Sequence, residues 1–311
     1  MTRPDISGTG TGTGTGTDTG ASLRDLLLWG ALAAAWSSSY VVIKFGVATL
    51  DPTLLVAGRM VVGMVAITGL FFALGHRLSR RPADWVSYGV TGLLGSVLPF
   101  LLITHGETVV DSALAAILMG VSPVATAVLA ALILPDERLT ARVGLGLGGA
   151  LTGVVLLAGP EALFGLGAQF AGQAAIFGAT LCYAVSTVYV RRYIRRPPLE
   201  MAAGSALVGT VLLLCAVLLR GEAPGPSAIT PTALAAVLYL GLVSTAAANL
   251  VFFYLVPRLG ATRMSQVNFA VPVGGALLGF SLLGEVLSPL QWTALAVIIG
   301  SVWLTTTARR T

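Results

Sequence analysis

Arg59 stands where a charge is hard to keep. It falls inside an unbroken apolar run that begins at Pro52, about 10 Å along a helix rising 1.5 Å per residue. If that run crosses a bilayer, burying an arginine there costs at least about 2 to 3 kcal/mol, so the side chain must face protein or a water-filled cavity. Two kinds of chemistry suit it. It can hold a substrate carboxylate or phosphate with its N–H donors, or it can play a structural part, as an ion pair with Asp51 or Glu107 or as a donor to carbonyls at a helix end.

A second constellation lies in the preceding apolar run. Trp36, Tyr40 and Lys44 are spaced at i, i+4 and i+8 and so share one helix face, with Ser39 beside them. An indole, hydroxyls and an ammonium on one face could hold an amphipathic solute; Tyr40 and Lys44 could equally anchor the helix end at a membrane surface. Later runs add Tyr183, Ser186, Asn249, Gln266 and Asn268. Amides in such places also join helices to one another, at about 0.6 kcal/mol each. The candidate substrate-binding set is thus Trp36, Ser39, Tyr40, Lys44, Arg59, Tyr183, Ser186, Asn249, Gln266 and Asn268. Pro123 and Pro272 each remove a backbone donor within a run, which frees carbonyls to face a cavity and makes both candidate kink or gating positions.

No catalytic set accompanies these residues. The sequence holds neither clustered acids for a metal nor an acid and histidine on one face, and it lacks a nucleotide-binding phosphate loop. Cys182 and Cys215 both sit in apolar runs, where a thiol behaves as a small hydrophobe. No enzyme activity, metal or cofactor is expected.

The elements that position these side chains follow from composition. Of 311 residues, 56% are apolar and only 10% charged, too few charges to coat a water-facing surface. The apolar residues gather into ten runs: Leu26–Gly46, Pro52–Leu74, Trp85–His105, Ser112–Leu134, Val143–Gly159, Gly172–Tyr193, Leu199–Leu219, Thr232–Val256, Met264–Gly284 and Pro289–Thr307. These are too long and too continuously apolar for barrel strands, so an all-α integral membrane protein with ten transmembrane helices is expected. Residues 1–22, dominated by alternating Gly and Thr, are expected to form a disordered tail.

The net charge of +5 reports topology, since seventeen of the eighteen basic residues are arginine and fifteen of those fall in alternate gaps. Arg3 and Arg24 precede the first run. Arg77 to Arg81, Arg138 and Arg142, Arg191 to Arg196, Arg258 and Arg263, and finally Arg309 and Arg310 follow even-numbered runs. By the positive-inside rule both termini are cytoplasmic. This is no phosphate-binding stripe, so nucleic acid is not an expected partner; membrane lipids are. Gly144, Gly146, Gly148, Gly149 and Gly153 suit close helix contact within one chain or across a homodimer.

The two halves can be superposed. Trp36, Tyr40 and Lys44 fall on Tyr183, Thr187 and Arg191 at an offset of 147; Gly92-Leu93-Leu94 on Gly241-Leu242-Val243 at 149; Pro123 on Pro272 at 149; and Glu137-Arg138-Leu139 on Glu285-Val286-Leu287 at 148. The common order and nearly constant offset point to a duplicated unit, residues 23–159 and 160–311. Each unit has five runs, an odd number, so the second would enter the membrane from the opposite side: a five-plus-five inverted repeat. Such a repeat gives two alternative packings around a midplane site, which suits transport.

The residues at this point resemble the EamA-type family of the drug/metabolite transporter superfamily. The likeness is carried by Trp36-Ser-Ser-Ser-Tyr40 with Lys44, Pro52 followed by Arg59, and Ser122-Pro123 to Glu137-Arg-Leu139 echoed by Val271-Pro272 to Glu285-Val-Leu287. The resemblance implies an inner-membrane carrier with a central cavity lined mainly by helices one, three, four, six, eight and nine, often exporting amino acids or other small metabolites. The expected function is therefore secondary transport, with export of a small molecule such as an amino acid. A nucleotide-sugar or sugar-phosphate exchanger, which would call for several deep cations, and a non-transporting membrane subunit are the alternatives.

Overall fold

Helices account for all the regular structure among the described residues of the computed structural model, which are 22–110, 112–158, 163–164, 169–219, 221, 230–282 and 288–306. In chain order they are α1 (Leu23–Val47), α2 (Pro52–Ala73), α3 (Pro82–Gly106), α4 (Ser112–Ile133), α5 (Ala141–Ala158), α6 (Phe170–Tyr193), α7 (Pro198–Leu219), α8 (Pro231–Leu259), α9 (Val267–Leu282) and α10 (Pro289–Thr306). A one-turn helix, Ala261–Ser265, joins α8 to α9. Among the described residues α1, α2, α3, α6, α7 and α8 are long and apolar enough to cross a membrane, and shorter apolar helices lie within α4, α5 and α10. The chain is a multi-pass membrane protein. The Gly/Thr tail and Glu285 lie outside the described residues, as do the side chains of Tyr40 and Lys44.

The helix starts are written locally. Ser22 Oγ accepts from Asp25 N at 3.1 Å, Asp51 Oδ1 from Thr53 N at 2.8 Å, and Thr230 Oγ1 from Ala233 N at 3.1 Å. Proline follows at the first position of α2 and α8, where its missing donor costs nothing. Gly260, at φ +88°, ends α8 in a conformation that side chains disfavour. Exposed Val65, Leu132, Leu145, Leu218 and Ile299 match helices whose outer faces meet lipid rather than water.

Helix packing repeats itself. The pairs α1·α9, α2·α8 and α1·α8 recur as α6·α4, α7·α3 and α6·α3, each helix replaced by the one five places on, while α2·α7 and α5·α10 map onto themselves. Two π-helical turns obey the same rule: one, Leu93–Val97, interrupts α3 directly after Gly92, and the other, Leu242–Ala247, interrupts α8 directly after Gly241. Both glycines lie at tight crossings. A methyl group on Gly92 would sit 2.5 Å from the Ser205 carbonyl oxygen, and one on Gly63 would sit 3.1 Å from the Gly241 carbonyl oxygen. Backbones this close bring carbonyl and Cα–H groups into contact, the packing that serves helices in lipid, where apolar side chains gain little from leaving one apolar surroundings for another.

Contacts sort the connections into two ends. At one end Arg196 pairs with Asp84 and donates to Ser79 Oγ at 2.6 Å, while Glu200 Oε1 accepts from Ser79 N at 3.2 Å and from Tyr88 OH at 2.6 Å. The Asp84 carboxylate beside Arg196 holds that guanidinium's pKa above its ordinary value. Arg191 pairs there with Asp136 and donates to the Pro257 carbonyl at 2.7 Å, and Arg258 lies 3.4 Å from Asp25. Arg142 reaches the Leu304 carbonyl at 3.0 Å. The connections carrying Arg77 to Arg81, Arg138 and Arg142, Arg191 to Arg196, and Arg258 and Arg263 thus share one end of the molecule, together with Asp25 and Leu304. At the other end Thr49 meets Thr230, and Thr53 Oγ1 lies 3.1 Å from His105 Nε2.

Candidate functional site

A cleft opens between the helices, lined by Trp36, Ser39 and Ile43 of α1, Arg59 of α2, Phe100, Ile103 and Thr104 of α3, Met119 of α4, Tyr183 of α6, and Asn268 and Val271 of α9. The α1 and α3 residues follow i, i+3, i+4 and i+7 spacing, which is why each helix presents them together. Ile43, Ile103 and Thr104 carry the cleft toward the arginine-poor end, where His105 lies.

Arg59 is 4% exposed. Its Nε donates to Thr245 Oγ1 at 3.2 Å, and its guanidinium carbon lies 3.9 Å from the centre of the Phe100 ring. Thr245 sits in the π-helical turn of α8, where the extra residue shifts the side-chain register and so which residues face α2. Close approach completes the contact: a methyl group on Gly63, one turn along α2 from Arg59, would lie 2.8 Å from Thr245 Cγ2. The guanidinium is thereby oriented on two sides, by a hydroxyl and by an aromatic face. Asp51 caps α2 through the Thr53 amide.

The remaining polar groups link helices around the cleft. Asn268 Nδ2 donates to Ser122 Oγ at 3.3 Å, and Ser122 Oγ donates to the Thr180 carbonyl at 3.4 Å, so α9, α4 and α6 are tied beside Pro123. Ser39 Oγ donates back to the Trp36 carbonyl at 2.6 Å. Among the described residues no carboxylate lines the cleft. Its chemistry is one cation, aromatic rings, a few hydroxyls and an amide set in apolar walls. That combination fits a small solute with an anionic group and an apolar or aromatic body.

Of the residues singled out in the sequence, Trp36, Ser39, Arg59, Tyr183 and Asn268 come together here. Ser186 is buried beside α3 instead, its Oγ placed 2.8 Å from where a methyl on Gly95 would stand and without a hydrogen-bond partner among the described residues. Gln266 is away from the cleft: 1% exposed, it accepts from Thr305 Oγ1 at 2.6 Å and joins the start of α9 to the end of α10. The helix-joining role, not solute contact, is the one its geometry fits. Asn249 is half-buried in α8 outside the lining. The side chains of Tyr40 and Lys44 are not among those described. Pro123 and Pro272 are both interior to helices, α4 and α9, each next to a residue of the site region, Ser122 and Val271.

Phe100, Met119, Thr104 and Thr245 were not singled out by their side-chain chemistry. The repeat held a signal for two of them. At the offset of 149, Phe100 falls on Asn249 and Met119 on Asn268, so positions chosen for polarity in the second half had apolar counterparts in the first. Met119 with Asn268 is such a pair, and both line the cleft, as do Trp36 and Tyr183, which the repeat also superposes.

The model of the EamA-like transporter family matches residues 26–159 and again residues 170–307. The chain belongs to the EamA-like transporter family. It is 30% identical over 295 residues to an uncharacterized inner membrane transporter, YedA, of Escherichia coli K12, covering 91% of this chain and 92% of that one. It is 29% identical over 273 residues to a probable terminal-alkyne amino-acid exporter of Streptantibioticus cattleyicolor, covering 86% of this chain and 89% of the relative. A probable amino-acid metabolite efflux pump of Salmonella typhimurium is 25% identical over 292 residues. A chain of known crystal structure, 22% identical, superposes with a TM-score of 0.74 over 91% of this chain and 96% of that chain, so the two share a fold. Relatives of this EamA-like chain are thus named as transporters, exporters and efflux pumps.

Proposed function

We propose that this protein is a secondary transporter that exports a small carboxylate-bearing metabolite, such as an amino acid, across the inner membrane by alternating access. The observation that carries the reading is Arg59: a buried guanidinium, oriented by Thr245 and Phe100, on the wall of the cleft. A carboxylate there gains a charge-assisted hydrogen bond. The rings of Trp36 and Tyr183 can meet an apolar body or, by their faces, an ammonium.

The ten helices act as two five-helix units of opposite orientation, with both termini cytoplasmic. Support comes from the exchange symmetry of the helix pairs, from the matching π-helical turns, and from the arginine-bearing connections that share one end. The cleft extends toward the arginine-poor end, while at the arginine-rich end α4, α6 and the α8–α9 connection are bridged through Glu137, Asp136 and Arg191. This arrangement is the state open away from the cytoplasm. Rocking of the units to break that bridge produces the opposite state, and solute that binds the two states differently shifts the balance between them.

The test is flux. Purified protein in liposomes should exchange a labelled amino acid or related monocarboxylate against unlabelled solute, and the amide or ester of the same solute should fail to compete. Absence of flux for every carboxylate in a broad panel, or equal competition by the amide, would overturn the reading.

A further inference from the structure

A second cavity lies on the outer flank of the molecule, separate from the cleft. It is a groove between α1, α9, α10 and the α8–α9 connection, with Leu26, Trp29, Arg263 and Trp303 toward the arginine-rich end and Val273 and Ile298 at its deep end. Leu26 and Trp303 are 47% and 65% exposed and belong to apolar helices, so the groove opens onto lipid. From Arg263 to Val273 is ten residues of largely helical chain, a run of about 15 Å. The walls are apolar except at one end, where Arg263 lies. A second polar group at that end is the Trp29 indole, whose Nε1 is buried and has no hydrogen-bond partner among the described residues.

We infer that this groove binds one acyl chain of an anionic phospholipid from the leaflet on the arginine-rich side, with its phosphate at Arg263 and a glycerol-ester oxygen accepting from Trp29 Nε1. The occupant follows from the match of parts. A hydrocarbon chain fills an apolar trough that faces the bilayer; the ester group, next to the phosphate, supplies an acceptor to an indole donor that otherwise loses a bond by burial; and an anionic headgroup meets the cation at the mouth. The site also bears on the cleft. Ala270 and Val273 of α9 line the groove while Asn268 and Val271 of the same helix line the cleft, so a lipid in the groove braces α9 from the face opposite the solute.

Native mass spectrometry of the full chain in detergent, with phosphatidylglycerol or phosphatidylcholine of identical chains, tests this. Wild type should retain one phosphatidylglycerol in preference to phosphatidylcholine by about fivefold, the effect of one cation near an anionic surface. Arg263→Gln should bring the two lipids to parity. Trp29→Phe, which keeps the ring but removes the donor, should lower retention of both by about two- to tenfold. Ala270→Trp should exclude the chain altogether, with a melting temperature in lipid-free detergent near that of wild type. Equal retention of the two lipids by wild type, or unchanged selectivity in Arg263→Gln, would overturn the inference, and neither measurement depends on the bulkier variant folding. Solute flux is read separately, so loss of lipid binding and failure of the transport reading are distinguishable.

Discussion

Replacing Arg59 with leucine removes the only described cation lining the cleft while keeping an apolar side chain of moderate size. In the wild type the guanidinium is held by Thr245 Oγ1 at 3.2 Å and lies 3.9 Å from the Phe100 ring centre, so little side-chain freedom remains to be lost when a carboxylate docks. A hydrogen bond to a charged group contributes about 1.5 to 3 kcal/mol, which corresponds to roughly a 10- to 150-fold loss of solute affinity in Arg59→Leu. Arg59→Lys keeps the charge but loses the planar face against Phe100 and the forked donors, so it should fall between, at about a tenfold loss. The assay is the ligand-induced rise in melting temperature of detergent-purified protein, read against solute concentration and paired with liposome flux. Folding is checked by the melting curve without ligand. If a folded Arg59→Leu protein binds its carboxylate solute as tightly as wild type, the guanidinium does not hold the substrate and the placement of the site is wrong.

Other expectations concern the scaffold. Glu137 accepts from Ala261 N at 2.6 Å and from Thr262 N at 2.9 Å, so Glu137→Ala should destabilise the protein by about 1 to 2 kcal/mol, seen as a lower melting temperature, with Glu137→Gln costing less. Gly92→Ala should cost about 1 to 3 kcal/mol because its methyl meets the Ser205 carbonyl at 2.5 Å, whereas Gly144→Ala, with nothing within 4 Å, should change stability by no more than about 0.5 kcal/mol; a loss of equal size at both sites would refute the close-crossing argument. In a background with Cys182 and Cys215 replaced, single cysteines at Arg80 and Arg195 should react with an impermeant reagent from the same side of the membrane, and one at Thr49 from the other. Opposite labelling of the first two would dismantle the shared arginine-rich end.

The sequence alone determined that the chain crosses a membrane as helices, because the shortage of charge and the length of the apolar runs admit little else. It also placed the arginine-bearing connections together, since loop charge is a local property of a sequence read in order, and Asp136, Arg191 and Pro257 do meet. Trp36, Ser39, Arg59, Tyr183 and Asn268, which line one cleft, stood out in the sequence because a polar or amphipathic side chain within an apolar run must be accommodated by something. Which polar groups face one another was settled by packing. Gln266 and Asn268 are two residues apart, yet one is bound to Thr305 and the other lines the cleft; Gln266 stands in the connection just before α9 and Asn268 on α9 itself, and sequence does not say which side faces the cavity. Phe100 and Thr245 could not be picked out for a like reason. An aromatic ring and a threonine are ordinary in membrane helices, and they join the candidate site only where the π-helical turns and the close approach at Gly63 bring them to one guanidinium.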